Sequence, residues 1–250
     1  MTTSLLTKPF YLDALRREGG AFRAALTPDT LDRPVPPCPK WTMEDLAAHL
    51  GVIYHWQRTH LVRGVTSKPE HERPEPPDGV AVIDWWQDAF DQMVTALERV
   101  EPDMPAWNWT VHPQTAIFWH RRMAHETAVH RWDAQASVSL PEPVETQLAK
   151  DGVHEVLDAW LPAGRRKGPS DRHGVVRLQA TDDKETWVVR VRGEVISVVD
   201  TDTVFDDPPA AEAAASGTAS DLLLALWGRV PLSVLTIDGD PELVSSLRTG

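Results

Sequence analysis

Glu126 and His130 stand four residues apart in His125-Glu126-Thr127-Ala128-Val129-His130. At about 100° per residue, positions i and i+4 fall on one helix face, so a carboxylate and an imidazole converge there. His125 falls about 100° off the line of Glu126 and is the poorer partner. The zinc-protease helix carries two histidines four apart, whereas this pair is Glu and His. By itself such a pair is most often a solvated surface contact. His49 changes the weighing. It follows Leu46 by three residues and precedes Ile53 by four, which turns it toward the buried face of its own helix. A lone buried histidine is usually a satisfied core residue. If it meets Glu126 and His130, the set becomes two imidazoles and one carboxylate. Three protein ligands leave a coordination position open, as catalytic zinc sites do, and a bundle interior suits ligands projecting from facing helices.

The elements that must position these residues can be read from hydrophobic spacing. Leu12, Leu15, Phe22 and Leu26 mark a first helix over 8–26, weakened by Gly19-Gly20. Pro34, Pro36, Pro37 and Pro39 enforce an extended loop. A second helix starts at Thr42, which can cap it, with Glu44 and Asp45 in the first turn where the positive helix end favours them. It runs through His49 to Arg63. Further helices are expected over 84–99, 115–137 and 144–160. The stretch 162–174 (PAGRRKGPSDRHG) then reads as an exposed linker. Strands follow at 175–180, 187–191 and 195–199, the first two joined by a hairpin at Asp182–Glu185. Ala210–Gly217 reads as loop or helix lead-in, Ser220 as the cap of a helix over 221–227, Leu232–Ile237 as a fourth strand and Glu242–Leu247 as a last helix. The expectation is an all-α domain over 1–165 followed by a small α+β domain over 166–250.

Composition bounds the partners. The 250 residues carry 25 Lys and Arg against 37 Asp and Glu, a formal charge of −12, which argues against a nucleic-acid footprint or an anionic membrane surface. No apolar run approaches the roughly 18 residues that span a bilayer, and Met1–Phe10 lacks the order of a signal peptide. The single cysteine, Cys38, cannot form an internal disulfide or a multi-thiolate metal site. A cytoplasmic protein, monomeric or homodimeric, is expected. Of the 11 tryptophans most are expected to fill core and interfaces.

Two segments carry a family resemblance: Val35–Gly51 (VPPCPKWTMEDLAAHLG) and Glu126–Ala134 (ETAVHRWDA). They resemble the metal-binding, DinB-like four-helix bundle of mycothiol-dependent maleylpyruvate isomerase and its relatives. Ala219–Arg229 (ASDLLLALWGR) and Ile237–Leu243 (IDGDPEL) are similar to the second domain of that family. The resemblance implies an α+β chain, a DinB-like bundle plus a small α+β domain. It also implies His49, Glu126 and His130 as ligands of a divalent metal, most plausibly zinc, with mycothiol as the thiol cosubstrate. A coordinating thiol loses its proton at neutral pH, and the thiolate adds to an electrophilic double bond or displaces a leaving group. The implied enzyme is a cis-trans isomerase or a thiol S-transferase acting on a small electrophile.

Arg229 resembles in placement an essential arginine of the isomerase's second domain, with the implied role of holding a carboxylate of substrate or cofactor. Its plainer reading is a helix C-terminal arginine offsetting the macrodipole. Asp133, three residues after His130, is either an outer acceptor for that imidazole or an ordinary helix contact. Cys38, between prolines with no histidine near in sequence, reads as packing. His55, His60, His112, His120, His154 and His173 show no ligand partner in the sequence. Two other functions stay open: a non-catalytic metal- or ligand-binding module, and a metal-dependent hydrolase with water in place of the thiol.

Overall fold

A computed structural model describes residues 6–70, 73–199 and 210–249. The described residues divide into two compact units, one over Leu6–Glu142 and one from Pro143 onward.

The first unit is a bundle of α1 (Lys8–Ala25), α2 (Met43–Arg63), α3 (Ala81–Arg99) and α4 (Ile117–Val138). Helix α1 packs on α4 and α2 on α3, with α2 also meeting α4. The core is aromatic: Phe22 stacks on Trp86, and Trp86 on Phe90, all within the bundle. Gly19 is needed at this centre. A Cβ there would lie 2.2 Å from the Phe90 ring, so the glycine that weakens α1 as a helix lets α1 close on α3. Helix α2 opens on a capping box in which the Thr42 side chain accepts from the Asp45 N–H and Asp45 accepts from the Thr42 N–H. It closes on Gly64 in the left-handed region, φ 59°. The Tyr54 hydroxyl meets Thr127 Oγ1 at 2.7 Å in the buried space between α2 and α4.

The second unit opens with α5 (Thr146–Glu155), which runs straight into a π-helical turn at Val156–Trp160. The sequence placed this helix with the bundle by ending the first domain at residue 165. In the structure it stands with the second unit, where it buries Leu148, Gly152 and Val153 and packs on α6 (Ala219–Leu226). Five strands follow, β1 (His173–Ala180), β2 (Thr186–Arg192), β3 (Val195–Val198), β4 (Ala213–Gly217) and β5 (Thr236–Gly239), in the sheet order β3-β2-β1-β4-β5. The β1–β4 pair is parallel and the other pairs antiparallel, so the unit is α+β.

Three expectations change here. The alanine run is strand β4, because β1 and β5 supply hydrogen-bond partners on both of its edges and long-range pairing overrides alanine's helical preference. The cap of α6 is Thr218, whose side chain accepts from the Asp221 N–H, so the helix starts earlier than a Ser220 cap allows. Leu232–Val234 is a short 3-10 turn, and the strand begins after it, at Thr236. A last helix, α7 (Pro241–Ser245), closes the unit. No helix among the described residues is long and apolar enough to cross a membrane.

Candidate metal centre

The 22-residue helix α4 is buried on nearly every side, which is why its polar residues must find partners inside the protein. Arg122, Glu126 and His130 form one i, i+4 stripe along it. The Arg122 Nη2 donates to Glu126 Oε2 at 2.9 Å, occupying that oxygen. The other oxygen, Oε1, lies 3.3 Å from His130 Nε2 and 3.7 Å from His49 Nε2. The two imidazoles stand edge to face with centres 5.1 Å apart. His49 thus joins the pair from α2, as the sequence anticipated. It is less buried than expected, with 35% of its side chain exposed, against 14% for Glu126 and 7% for His130. Trp41, just ahead of the α2 cap, covers one side of it at 4.9 Å.

The ligand atoms of His49, Glu126 and His130 all lie within 4.8 Å of one another. Two ligands about 2.0–2.1 Å from a tetrahedral ion stand about 3.3 Å apart, so the spacing of this group suits a small divalent cation. The donor set, two nitrogens and one oxygen, also suits zinc and other first-row metals. The imidazole of His130 is held in a ligating orientation. Its Nδ1 lies 2.9 Å from Asp133 Oδ2, on a carboxylate with no exposed surface, which leaves Nε2 facing Glu126 and His49.

The charges follow from these contacts. Burial pushes the Glu126 carboxyl up, but hydrogen bonds from His130 and His49 and the charge of Arg122 outweigh it and hold the group well below its ordinary range. Burial pushes His130 down, yet the carboxylates of Asp133 and Glu126 together raise it above an ordinary histidine. Glu126 is therefore an anion at neutral pH, ready as a ligand.

Sequence reasoning missed two members of this surrounding. Arg122 is signalled by continuing the i, i+4 stripe one step back from Glu126. Cys38 is not signalled at all: the loop ahead of α2 folds back through the Cys38 N–H to Val35 and the Trp41 N–H to Cys38, carrying the thiol to 3.7 Å from Asp133 Oδ2. Cys38 therefore touches the carboxylate that orients His130. His125, buried at 1% exposure, lies edge to face with Tyr11 instead.

Arg229 stands in the second unit, just past α6. Its Nη1 donates to the Trp227 carbonyl at 2.9 Å, and its guanidinium carbon lies 6.0 Å from the Trp227 ring centre. This contact holds the Arg229 side chain against Trp227 at the C-terminal end of α6.

Comparison with known proteins agrees with this geometry at the level of fold and family. Residues 12–135 match the family model of the mycothiol maleylpyruvate isomerase N-terminal domain, and residues 147–246 match that of the MDMPI C-terminal domain. Among solved structures, the crystal structure of the mycothiol-dependent maleylpyruvate isomerase superposes with a TM-score of 0.63 at 14% identity, over 95% of this chain and 96% of that one. A histidine-to-alanine mutant of that isomerase superposes with a TM-score of 0.66 at 13% identity, with the same coverage of 95% and 96%. No curated protein matches. Both domain models fall in order along the chain, leaving only its ends and a short joint unmatched; the chain belongs to the mycothiol maleylpyruvate isomerase family.

Proposed function

We propose that the protein is a metal-dependent, mycothiol-using enzyme in which His49, Glu126 and His130 hold a divalent ion, zinc. The observation that carries this reading is the convergence of three ligand atoms from two helices on one point. An ion bound there supplies Lewis acidity, which lowers the pKa of a coordinating thiol so that it is a thiolate at neutral pH. The remaining work falls to the chain. Asp133 fixes the His130 ring, Arg122 occupies one oxygen of Glu126 so that the other faces the centre, and the exposed edge of His49 marks the side open to small molecules.

The substrate class is a small electrophile. In the isomerase reading the thiolate adds to the substrate's double bond, the resulting single bond rotates, and elimination of the thiolate restores the double bond in trans geometry. In the transferase reading the thiolate displaces a leaving group and stays on the product. Arg229 is assigned to a substrate or cofactor carboxylate, which its fork can hold bidentately.

The test is elemental analysis of untagged wild type and His49→Ala, followed by cobalt substitution. Near-stoichiometric metal in the wild type, lost in the variant, is the expected result. Mycothiol added to the cobalt form should produce thiolate-to-cobalt charge-transfer absorption. A wild type that takes up no metal even when zinc is supplied overturns the reading in favour of a binding module. Metal without a thiolate band points to water as the activated ligand, and so to a hydrolase.

A further inference from the structure

A cavity of about 1020 Å³ opens beside the C-terminal half of α2 and the segment after it. Its walls carry Arg58, Arg63, Lys68 and Arg73, and Glu70 is the one lining carboxylate among the described residues. In a chain of formal charge −12, four cations around one hollow reverse the local sign of the field. Such clusters are ordinarily neutralised by neighbouring carboxylates. Here, among the described residues, Arg63 reaches only neutral partners, the carbonyl and hydroxyl oxygens of Ser67 at 3.3 and 3.1 Å. Arg73 lies 6.0 Å from the centre of the Trp56 ring, which sets its guanidinium against an aromatic wall.

Two further polar nitrogens belong to residues that line the same space. His55 Nε2 and Arg58 Nε are shielded from solvent and have no hydrogen-bond partner among the described residues. The Arg58 nitrogen always carries a proton, and a shielded donor of this kind is costly unless a group from outside the chain accepts from it. The cavity is also separate from the metal centre. Arg58 comes nine residues after His49, about 13 Å along the axis of α2 and about 180° around it. None of His49, Glu126 and His130 lines it.

We propose that this cavity binds a small, multiply charged anion, a phosphate ester or a polycarboxylate, independently of the metal centre. Its volume is that of a small-molecule site. Guanidinium forks recognise phosphate and carboxylate oxygens in pairs, and the Trp56 wall accepts the ligand's carbon skeleton. A ligand with two or three negative charges complements the cations that the described residues place around this space.

The experiment titrates inorganic pyrophosphate and, separately, citrate into the chelator-treated full chain by calorimetry, at about 20 and about 150 mM salt. One anion should bind one to one, and more weakly at the higher salt. Arg58→Gln and Arg73→Gln should each raise Kd about tenfold, as loss of a charged hydrogen bond predicts. The anion that binds more tightly identifies the ligand chemistry. His49→Ala should bind it as the wild type does; a loss there would put the anion on the metal centre and overturn the proposal. Absence of binding by either anion at millimolar concentration overturns it too. So does an Arg58→Gln, Arg73→Gln double variant that binds as the wild type does. If Arg58→Gln fails to fold, the exposed pair Lys68→Gln and Arg73→Gln supplies the same comparison.

Discussion

Asp133→Asn isolates the group that orients His130. The side chain keeps its shape and loses only its charge, in a place with no exposed surface. In the wild type the His130 Nδ1–H donates to a carboxylate at 2.9 Å, a charge-assisted bond. Such bonds contribute about 1.5–3 kcal/mol, against about 0.5–1.5 for a neutral pair, so the substitution removes about 1–2 kcal/mol of support for the ligating tautomer. That corresponds to about a five- to thirtyfold loss of zinc affinity, within the span seen when partners of metal-bound histidines are removed. An asparagine turned with its amide toward Nδ1 favours the opposite tautomer and puts a proton on the ligating Nε2, which adds to the loss. Affinity is measured by competition with a chromophoric chelator, and the tautomer by nitrogen NMR of His130 in metal-free protein at a pH high enough to deprotonate the ring. Unchanged affinity in a folded Asp133→Asn protein would refute the role assigned to Asp133, and with it the reading of His130 as a ligand through Nε2.

Four further outcomes are expected. Thr127 Oγ1 donates to the Met123 carbonyl at 2.7 Å, so Tyr54 must donate to Thr127. Tyr54→Phe should therefore cost only about 1 kcal/mol in urea unfolding, while Thr127→Val, which strands the buried Tyr54 hydroxyl, should cost about 1–3 kcal/mol. Glu18 and Arg131 form a buried pair at 2.7 Å, and Glu18→Ala should destabilise by about 3–5 kcal/mol because Arg131 is left charged in the interior. His120 is buried between the carbonyls of Ala116 and Leu97, and burial pushes its pKa down against the pull of both oxygens. A depressed histidine keeps the folded state from taking a proton that the unfolded chain accepts, so stability should fall as pH drops below about 6.5. Thermal midpoints of His120→Gln should lose part of that slope; an identical slope would rule out this source. Gly51→Ala places a Cβ 2.2 Å from the Trp85 ring and should cost about 1–3 kcal/mol through overpacking in a melting measurement.

What the sequence made legible was local. The α2 start was visible because Thr42 and Asp45 satisfy each other's backbone within one turn, and the Glu126/His130 pair because a helix aligns i with i+4. The arrival of His49 at that pair rested on a buried-face argument and on family resemblance; the distances bring it there, though a third of its side chain stays exposed. What stayed hidden depends on partners far along the chain. Ala213–Gly217 has no strand signature of its own and becomes β4 only through β1 and β5. Cys38 and Asp133 are 95 residues apart, so no spacing rule could join them. The end of α5 continues as a π-helical turn, and its packing on α6 set the unit boundary earlier than the glycine- and proline-rich linker suggested.

The Arg122 contact bears on the charge of the proposed metal centre. With both imidazoles ligating, Glu126 and Asp133 would each bring one negative charge and Arg122 would return one positive charge. These groups would together carry a single negative charge, which a bound divalent cation would turn into a single positive one. One thiolate would bring that to neutrality, whereas water would do so only by giving up a proton to become hydroxide. An acidic protein can in this way discriminate between ligands by formal charge, before any contact reads their shape.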